Sequence, residues 1–170
     1  MKKNKKALLY HPTTLNCDYS FSKLVSELSL LPSSSLMTMD RESNRYVISF
    51  NVDSGIYTIL LKKLKNDELP KVADFNTGSN EMDLEMPEGM SLSYKNVFVY
   101  DSRKNVLAAI RLSSCPQIGA LRECLEKLAH ENLPEYHHPK IKFNLIFKRG
   151  LADVLRKADS ITMAKIKVED

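Results

Sequence analysis

The chain has 170 residues, of which 43% are hydrophobic and 27% are charged. This composition excludes collagen-like, disulfide-scaffold and wholly disordered proteins. The length is that of one domain with its own core, so we expect a single domain over residues 1–170. The 25 Lys and Arg residues exceed the 21 Asp and Glu residues, which gives a formal net charge of +4.

The amino terminus and the cysteines predict a cytoplasmic protein. Four lysines fall within residues 2–6, and only the four residues 7–10 after them form an apolar stretch. A signal peptide needs an apolar stretch of roughly 7–15 residues. The three cysteines, Cys17, Cys115 and Cys124, are an odd number without a CxxC motif, which is typical of reduced thiols.

The first third of the chain predicts one strand and one helix. Residues 7–10 are typical of a short strand. Asn16 and Asp18 are candidate caps for a helix that ends before Pro32. The apolar residues of that helix recur at helical spacing: Phe21, Leu24, Val25, Leu28 and Leu31.

Two β-hairpins are predicted next. Residues 46–50 and 56–61 are rich in β-forming side chains and flank a turn at 51–55. Residues 97–100 and 105–111 form the second pair.

The remaining elements alternate between helix and strand. Pro116 suits the first turn of a helix that reaches residue 130. Residues 141–147 alternate between apolar and polar side chains, which predicts a half-buried strand. A short helix near Leu151 and a last strand over 161–168 follow.

The predicted order is β-α-β-β-loop-β-β-α-β-α-β, which indicates the α+β class. Because hairpins dominate, we expect a mostly antiparallel sheet of about six to seven strands, with about three helices packed on one face. The loop is a long acidic connection over residues 66–94.

The charge is distributed in three blocks. Residues 1–65 carry a net +5, residues 66–101 a net −6, and residues 102–170 a net +5. Two basic blocks therefore flank an acidic block.

The basic blocks motivate the first functional hypothesis, a DNA-binding module that contacts phosphates without reading bases. Tyr57 and Tyr100 lie nearby in the sequence and are candidates for stacking on bases. The candidate DNA-binding residues lie at predicted strand ends and turns: Lys62, Lys63, Lys65, Arg103, Lys104, Lys140, Lys142, Lys148, Arg149, Arg156 and Lys157.

The acidic block motivates two alternatives. In the first, the chain is a protein–protein inhibitor or adaptor subunit, and the 66–94 loop is its working surface. A homodimer is a separate prediction about the partner and is assigned no surface. In the second, Glu81, Asp83 and Glu85 hold a divalent cation for a nuclease, because an extended chain would present the three carboxylates on one side.

Other catalytic patterns are missing from the sequence. His137 and His138 point apart on an extended chain, which makes a poor bidentate metal site. Cys115 precedes Pro116 without a placed histidine partner, and the five glycines form no nucleotide-binding loop. We therefore predict neither a cofactor nor a resident metal, no membrane partner, and a non-catalytic role.

The succession of elements resembles the N-terminal region of phage-exclusion and anti-phage defence proteins of the RexA and KwaB type. That resemblance implies a bacterial or prophage protein that binds DNA, often as a dimer, and continues into a further C-terminal region. It transfers no individual functional residue. The segments that carry the resemblance are 45–64, 96–101, 105–111, 116–130, 140–147, 151–157 and 161–168.

Overall fold

The computed structural model describes residues 7–40, 44–65 and 90–146. Within these ranges the chain is a mixed α+β fold with one antiparallel sheet and two α-helices. The strands are β1 (Ala7–Leu15), β2 (Met37–Met39), β3 (Arg45–Asp53), β4 (Ile56–Lys65), β5 (Leu92–Asp101), β6 (Val106–Ile110) and β7 (Lys140–Leu145). The helices are α1 (Phe21–Ser29) and α2 (Ile118–Asn132), and two short 3-10 turns lie at Ser33–Ser35 and Pro134–Tyr136.

The seven strands are ordered β2-β3-β4-β5-β6-β1-β7, and every neighbouring pair is antiparallel. Both predicted hairpins are present as β3–β4 and β5–β6. The strand β1 lies between β6 and β7 and pairs with both, so residues far apart in the sequence become neighbours.

The turn between β3 and β4 is tighter than the predicted 51–55 connection. Pairing continues to Asp53 and Ile56, which leaves Ser54 and Gly55 as the turn. Both have positive φ angles, 48° and 82°, as a two-residue turn of this hand requires. A Cβ on Gly55 would lie 3.1 Å from the Ser102 hydroxyl, so glycine also relieves crowding there.

The two helices cover one side of the sheet, which we call the inner face. Because side chains alternate along a strand, every second residue points inward, and these residues are buried on the central strands. Phe21 of α1 packs edge-on against Tyr100 of β5, with ring centroids 4.9 Å apart. The core therefore lies between the inner face and the two helices.

The helix starts differ from the predicted ones. Ser20, instead of Asn16 or Asp18, caps α1, and its hydroxyl accepts a hydrogen bond from the Lys23 amide at 3.2 Å. Asn16 has a positive φ of 60° in the turn that precedes the helix. The second helix begins at Ile118, two residues after Pro116.

Asn96 is the main polar residue of the core. Its side-chain amide donates to the carbonyls of Ile110 at 3.0 Å and of Pro116 at 2.9 Å. It therefore joins β5 to the segment that connects β6 with α2.

The strand β2 was not predicted, because three residues are too short for a recognisable alternation. The predicted third helix near Leu151 and the strand over 161–168 lie outside the described residues, as does 66–89 of the acidic connection. No described helix is long and apolar enough to cross a membrane.

Candidate interaction face and cleft

The predicted basic residues that the structure describes fall in separate places. Lys62 and Lys63 are consecutive on β4, so their side chains point to opposite faces of the sheet. Lys62 points to the uncovered side, which we call the outer face, and Lys63 points to the inner face. Lys65 ends the same strand.

Arg103 and Lys104 lie at the far end of the sheet, in the turn between β5 and β6. Ile56 is paired with Asp101, which places this turn roughly 20 Å along the strands from Lys62. The Asp101 carboxylate accepts hydrogen bonds from the Arg103 amide at 3.0 Å and side chain at 3.3 Å. Arg103 therefore stabilises the turn between β5 and β6, in which it lies.

Lys140 and Lys142 lie on β7, at an edge of the described sheet. The Lys140 ammonium is 3.5 Å from a carboxylate oxygen of Glu126, whereas Lys142 is exposed. The remaining candidates, Lys148, Arg149, Arg156 and Lys157, lie outside the described residues.

The outer face carries a group of apolar side chains that no described helix covers. Val97 and Val99 of β5 are 42% and 39% exposed. We call the group the outer patch; its members are Leu9, Leu60, Val97, Val99 and Ile110. Register aligns Leu60 with Val97, and Val99 with Ala108 and Leu9, so the outer patch is continuous over β4, β5, β6 and β1.

Cations lie at one end of the outer patch. Lys62 and Lys95 are directly opposite each other on β4 and β5, and Arg45 lies one outward position further along on β3. Like charges directly opposite across strands repel each other. Within the described ranges no ion pair joins this basic cluster of Arg45, Lys62 and Lys95 to a carboxylate.

The inner face ends in a cleft of about 720 Å³ between the strands β2, β3 and β4 and the helix α2. Thr38, Tyr46 and Lys63 are aligned across the three strands and form its floor. The full lining is Thr38, Met39, Asp40, Tyr46, Lys63, Ala120, Glu123, Cys124 and Lys127.

Two titratable groups of the cleft are held neutral by their surroundings. Burial, together with Asp40 and a hydrogen bond to its carboxylate, raises the pKa of Tyr46 to about 12. Burial and the carboxylates of Glu123 and Asp40 raise the pKa of the Cys124 thiol to about 12. Since a thiol is a poor nucleophile, Cys124 is suited to packing and not to covalent chemistry.

The aromatic and histidine side chains are arranged differently from the sequence-based expectations. Tyr57 and Tyr100 are buried in the core, so neither ring is presented for stacking on bases. His138 stacks on His130 of α2, with ring centroids 3.6 Å apart. No group of three potential metal ligands occurs within the described ranges; Glu81, Asp83 and Glu85 lie outside them.

Comparisons of the chain with protein-family models, with curated proteins and with solved structures find no match. The resemblance to RexA- and KwaB-type proteins therefore stays a prediction.

Sequence reasoning missed both the cleft and the outer patch. The cleft joins positions 38–46, 63 and 120–127, which no local pattern connects. The outer patch was missed because residues 56–61 are apolar at both odd and even positions. The sequence therefore does not show which of the two sets lies under the helices. Successive side chains on a strand point to opposite faces, so the sequence alone could have placed Lys62 and Lys63 on different faces of the sheet.

Proposed function

We propose that the chain is a non-catalytic protein-interaction module that works through its outer face, and that the partner on this face is a second copy of the chain. The observation that carries the proposal is the order of side chains along the outer face. The apolar rows lie in the middle and the basic cluster lies at one end. The other end carries the carboxylates of Asp53 and Asp101, of which Asp101 is also paired with Arg103.

Register defines this order on β4 and β5. Four outward pairs follow one another along the two strands: Ile56–Asp101, Thr58–Val99, Leu60–Val97 and Lys62–Lys95. Asp53 of β3 extends the first pair. The two middle pairs form the centre of the outer patch.

This arrangement is complementary to itself under one particular rotation. A twofold axis between the two middle rows, in the plane of contact and perpendicular to the strands, places Val97 of one copy on Val99 of the other. The same rotation brings Lys95 above Asp101. An axis parallel to the strands would instead place the lysine row on itself, which like-charge repulsion disfavours.

The area of the outer face fits a weak dimer. With strands about 4.8 Å apart and outward residues about 6.8 Å apart, the rows over β3, β4, β5, β6 and β1 cover roughly 600 Å² per copy. The total of roughly 1,200 Å² is at the lower limit for a specific interface. We therefore expect association in the micromolar range.

Sedimentation equilibrium over a range of concentrations tests the proposal. We expect the mass to rise from one to two chains, and Val97→Glu to weaken the dimer at least tenfold because it buries a carboxylate in the contact. Val52→Glu is the matched control, because Val52 is an exposed valine, 48% accessible, at the end of β3 and at an inward position.

Two results would contradict the proposal. One is a monomer at every concentration tested. The other is a dimer that Val52→Glu disrupts as strongly as Val97→Glu does.

DNA binding is the second candidate function, and the basic cluster is the observation that favours it. Arg45, Lys62 and Lys95 lie close enough together to contact neighbouring phosphates on one strand of DNA. The setting in phage exclusion or anti-phage defence rests on the resemblance of the sequence.

Fluorescence anisotropy with a labelled duplex tests this second candidate. We expect affinity to fall steeply as salt rises, and Lys62→Gln/Lys95→Gln to weaken binding further, whereas Arg103→Gln at the far end has a smaller effect. Absence of binding at low salt would reject it. Because Val97→Glu lies in the apolar rows, a loss of dimer without a loss of DNA binding separates the two candidates.

A further inference from the structure

The basic cluster contains two lysines that face each other at the shortest spacing in a sheet. The Ser102 amide donates to the Gly55 carbonyl at 3.0 Å, which fixes the alternation of ladder hydrogen bonds between β4 and β5. Lys62 and Lys95, seven residues further along both strands, therefore form a pair without ladder hydrogen bonds. The Cα atoms of such a pair are about 4.5 Å apart, so the two ammonium groups repel each other and an anion that binds both stabilises them.

In the proposed dimer the second copy supplies the opposite charge. The twofold rotation places the row of the two lysines over the row that Asp53, Ile56 and Asp101 form at the other end. Lys95 of one copy lies over Asp101 of the other, and Lys62 lies over Ile56 with a carboxylate on either side. Both lysines are therefore covered when the dimer forms.

The Asp101 carboxylate has one oxygen left for this contact. Within the described structure, every hydrogen bond to its side chain ends on Oδ1: from the Arg103 amide at 3.0 Å, the Arg103 side chain at 3.3 Å and the Lys104 amide at 3.4 Å. Oδ2 remains for Lys95 of the second copy. Because the same carboxylate is already paired with Arg103, its pull on Lys95 is weak, and a more strongly charged anion competes with it.

We infer, on the basis of the proposed dimer, that a short chain of phosphates dissociates it by binding Lys62 and Lys95 in the single copy. Arg45, which is exposed and lies one outward position further along on β3, adds a third cation. A phosphate chain has several charges and many acceptor oxygens, whereas the second copy offers Lys95 one carboxylate oxygen. The outer face therefore has two mutually exclusive occupants, a second copy or a phosphate chain.

Sedimentation equilibrium of the full chain with tripolyphosphate, at an ionic strength held constant with sodium chloride, tests this competition. Each copy carries one basic cluster, so the dissociation constant of the dimer should rise by the square of one plus the ratio of tripolyphosphate concentration to its own Kd. At three times that Kd we expect a rise of about sixteenfold. Tetrathymidylate, which also carries three phosphates, shows whether a nucleic acid backbone has the same effect.

Two pairs of lysines separate the basic cluster from the general charge of the chain. Lys62→Gln/Lys95→Gln removes the site and also the repulsion between the lysines, so the dimer should form and respond to tripolyphosphate by less than about twofold. Lys140→Gln/Lys142→Gln is the matched control, because these lysines lie on β7, outside the five strands of the contact. It should keep the full response.

The same competition should appear in the binding of tripolyphosphate. Its affinity for the wild-type chain should fall as the chain concentration rises, because the dimer hides the site. Val97→Gln weakens the apolar contact without adding a charge beside Lys95. Its affinity for tripolyphosphate should equal that of the dilute wild-type chain at every concentration, and isothermal titration calorimetry at two chain concentrations measures both.

A dimer whose dissociation constant changes with neither tripolyphosphate nor tetrathymidylate overturns the competition and leaves the proposed dimer standing. The competition is also overturned if Lys140→Gln/Lys142→Gln reduces the response as much as Lys62→Gln/Lys95→Gln does. A chain that is monomeric at every concentration overturns the proposed dimer itself. A response to one of the two probes alone supports the competition and identifies its source as a free phosphate chain or a nucleic acid backbone.

Discussion

The two faces of the sheet use the same strands for different purposes. On β4, Ile59 is fully buried under the helices, while Leu60, the next residue, points to the outer face and lies in the outer patch. The inner face is apolar and is covered by described helices, whereas the outer face carries apolar rows between charged side chains and is covered by no described helix. An antiparallel sheet usually has one apolar and one polar face, and the apolar rows of the outer face are the feature on which the proposed dimer rests.

The largest expected difference between the faces is in stability. Ile59→Ala removes a fully buried side chain and should lower the free energy of unfolding by about 3 kcal/mol, because it leaves a cavity. Leu60→Ala should cost about 1 kcal/mol at concentrations where the chain is monomeric. Urea denaturation measures both variants, and equal losses would contradict the assignment of the two faces.

The polar core residue gives the next largest effect. Asn96→Leu leaves the carbonyls of Ile110 and Pro116 without their donor, and we expect a loss of about 2 kcal/mol. Asn51→Leu, at an exposed outward position of β3, is the matched control and should change stability by less than about 0.5 kcal/mol. A neutral Asn96→Leu would show that this network does not hold the inner face together.

The N-cap of α1, one of the helices that cover the inner face, has a smaller effect on the free energy of unfolding. Ser20→Ala should lower the free energy of unfolding by about 1 kcal/mol, since the Lys23 amide loses its acceptor. Ser20→Asp keeps a side-chain acceptor and should restore most of that loss. Thermal denaturation separates the two variants, and an equal loss in both would argue against the cap.

The smallest effect is expected at high pH. The pKa of Tyr46 is about 12 in the folded chain, against an ordinary value of 10.0, because of burial and the nearby Asp40. The unfolded chain therefore loses this proton first, so stability is fully present below pH 10 and declines as the pH rises towards 12. Tyr46→Phe should flatten this decline in pH-dependent denaturation, and an unchanged slope would contradict the assigned burial.

The sequence predicted the elements with strong local signals. The two hairpins, the helix with Leu24 and Leu28 on one face, and the alternation of β7 are all present at nearly the predicted positions. The α+β class and the mostly antiparallel sheet follow from them.

What the sequence did not predict depends on contacts between distant segments. The strand β2 is held by pairing with β3 and carries too little pattern of its own. The basic residues were grouped by their nearness in sequence, whereas strand alternation and the roughly 20 Å length of the sheet separate Lys62 from Lys63 and from Arg103. Tyr57 and Tyr100 were named as stacking candidates because they lie near the basic residues in sequence. Their strands are apolar at successive positions, which does not reveal that both rings are buried.

The distance between two spin labels tests the central claim most directly. A label on Ser93→Cys, in a chain with Cys17→Ser and Cys115→Ser, lies on β5 five residues from Phe98, over which the proposed twofold axis passes. Two such labels should be about 35 Å apart in the dimer, from a rise of about 3.4 Å per residue and sheets about 10 Å apart. Pulsed electron paramagnetic resonance that finds about 35 Å would support the proposed pairing. A distance of about 10–15 Å, as an axis parallel to the strands would give, or no dipolar coupling at all, would contradict it.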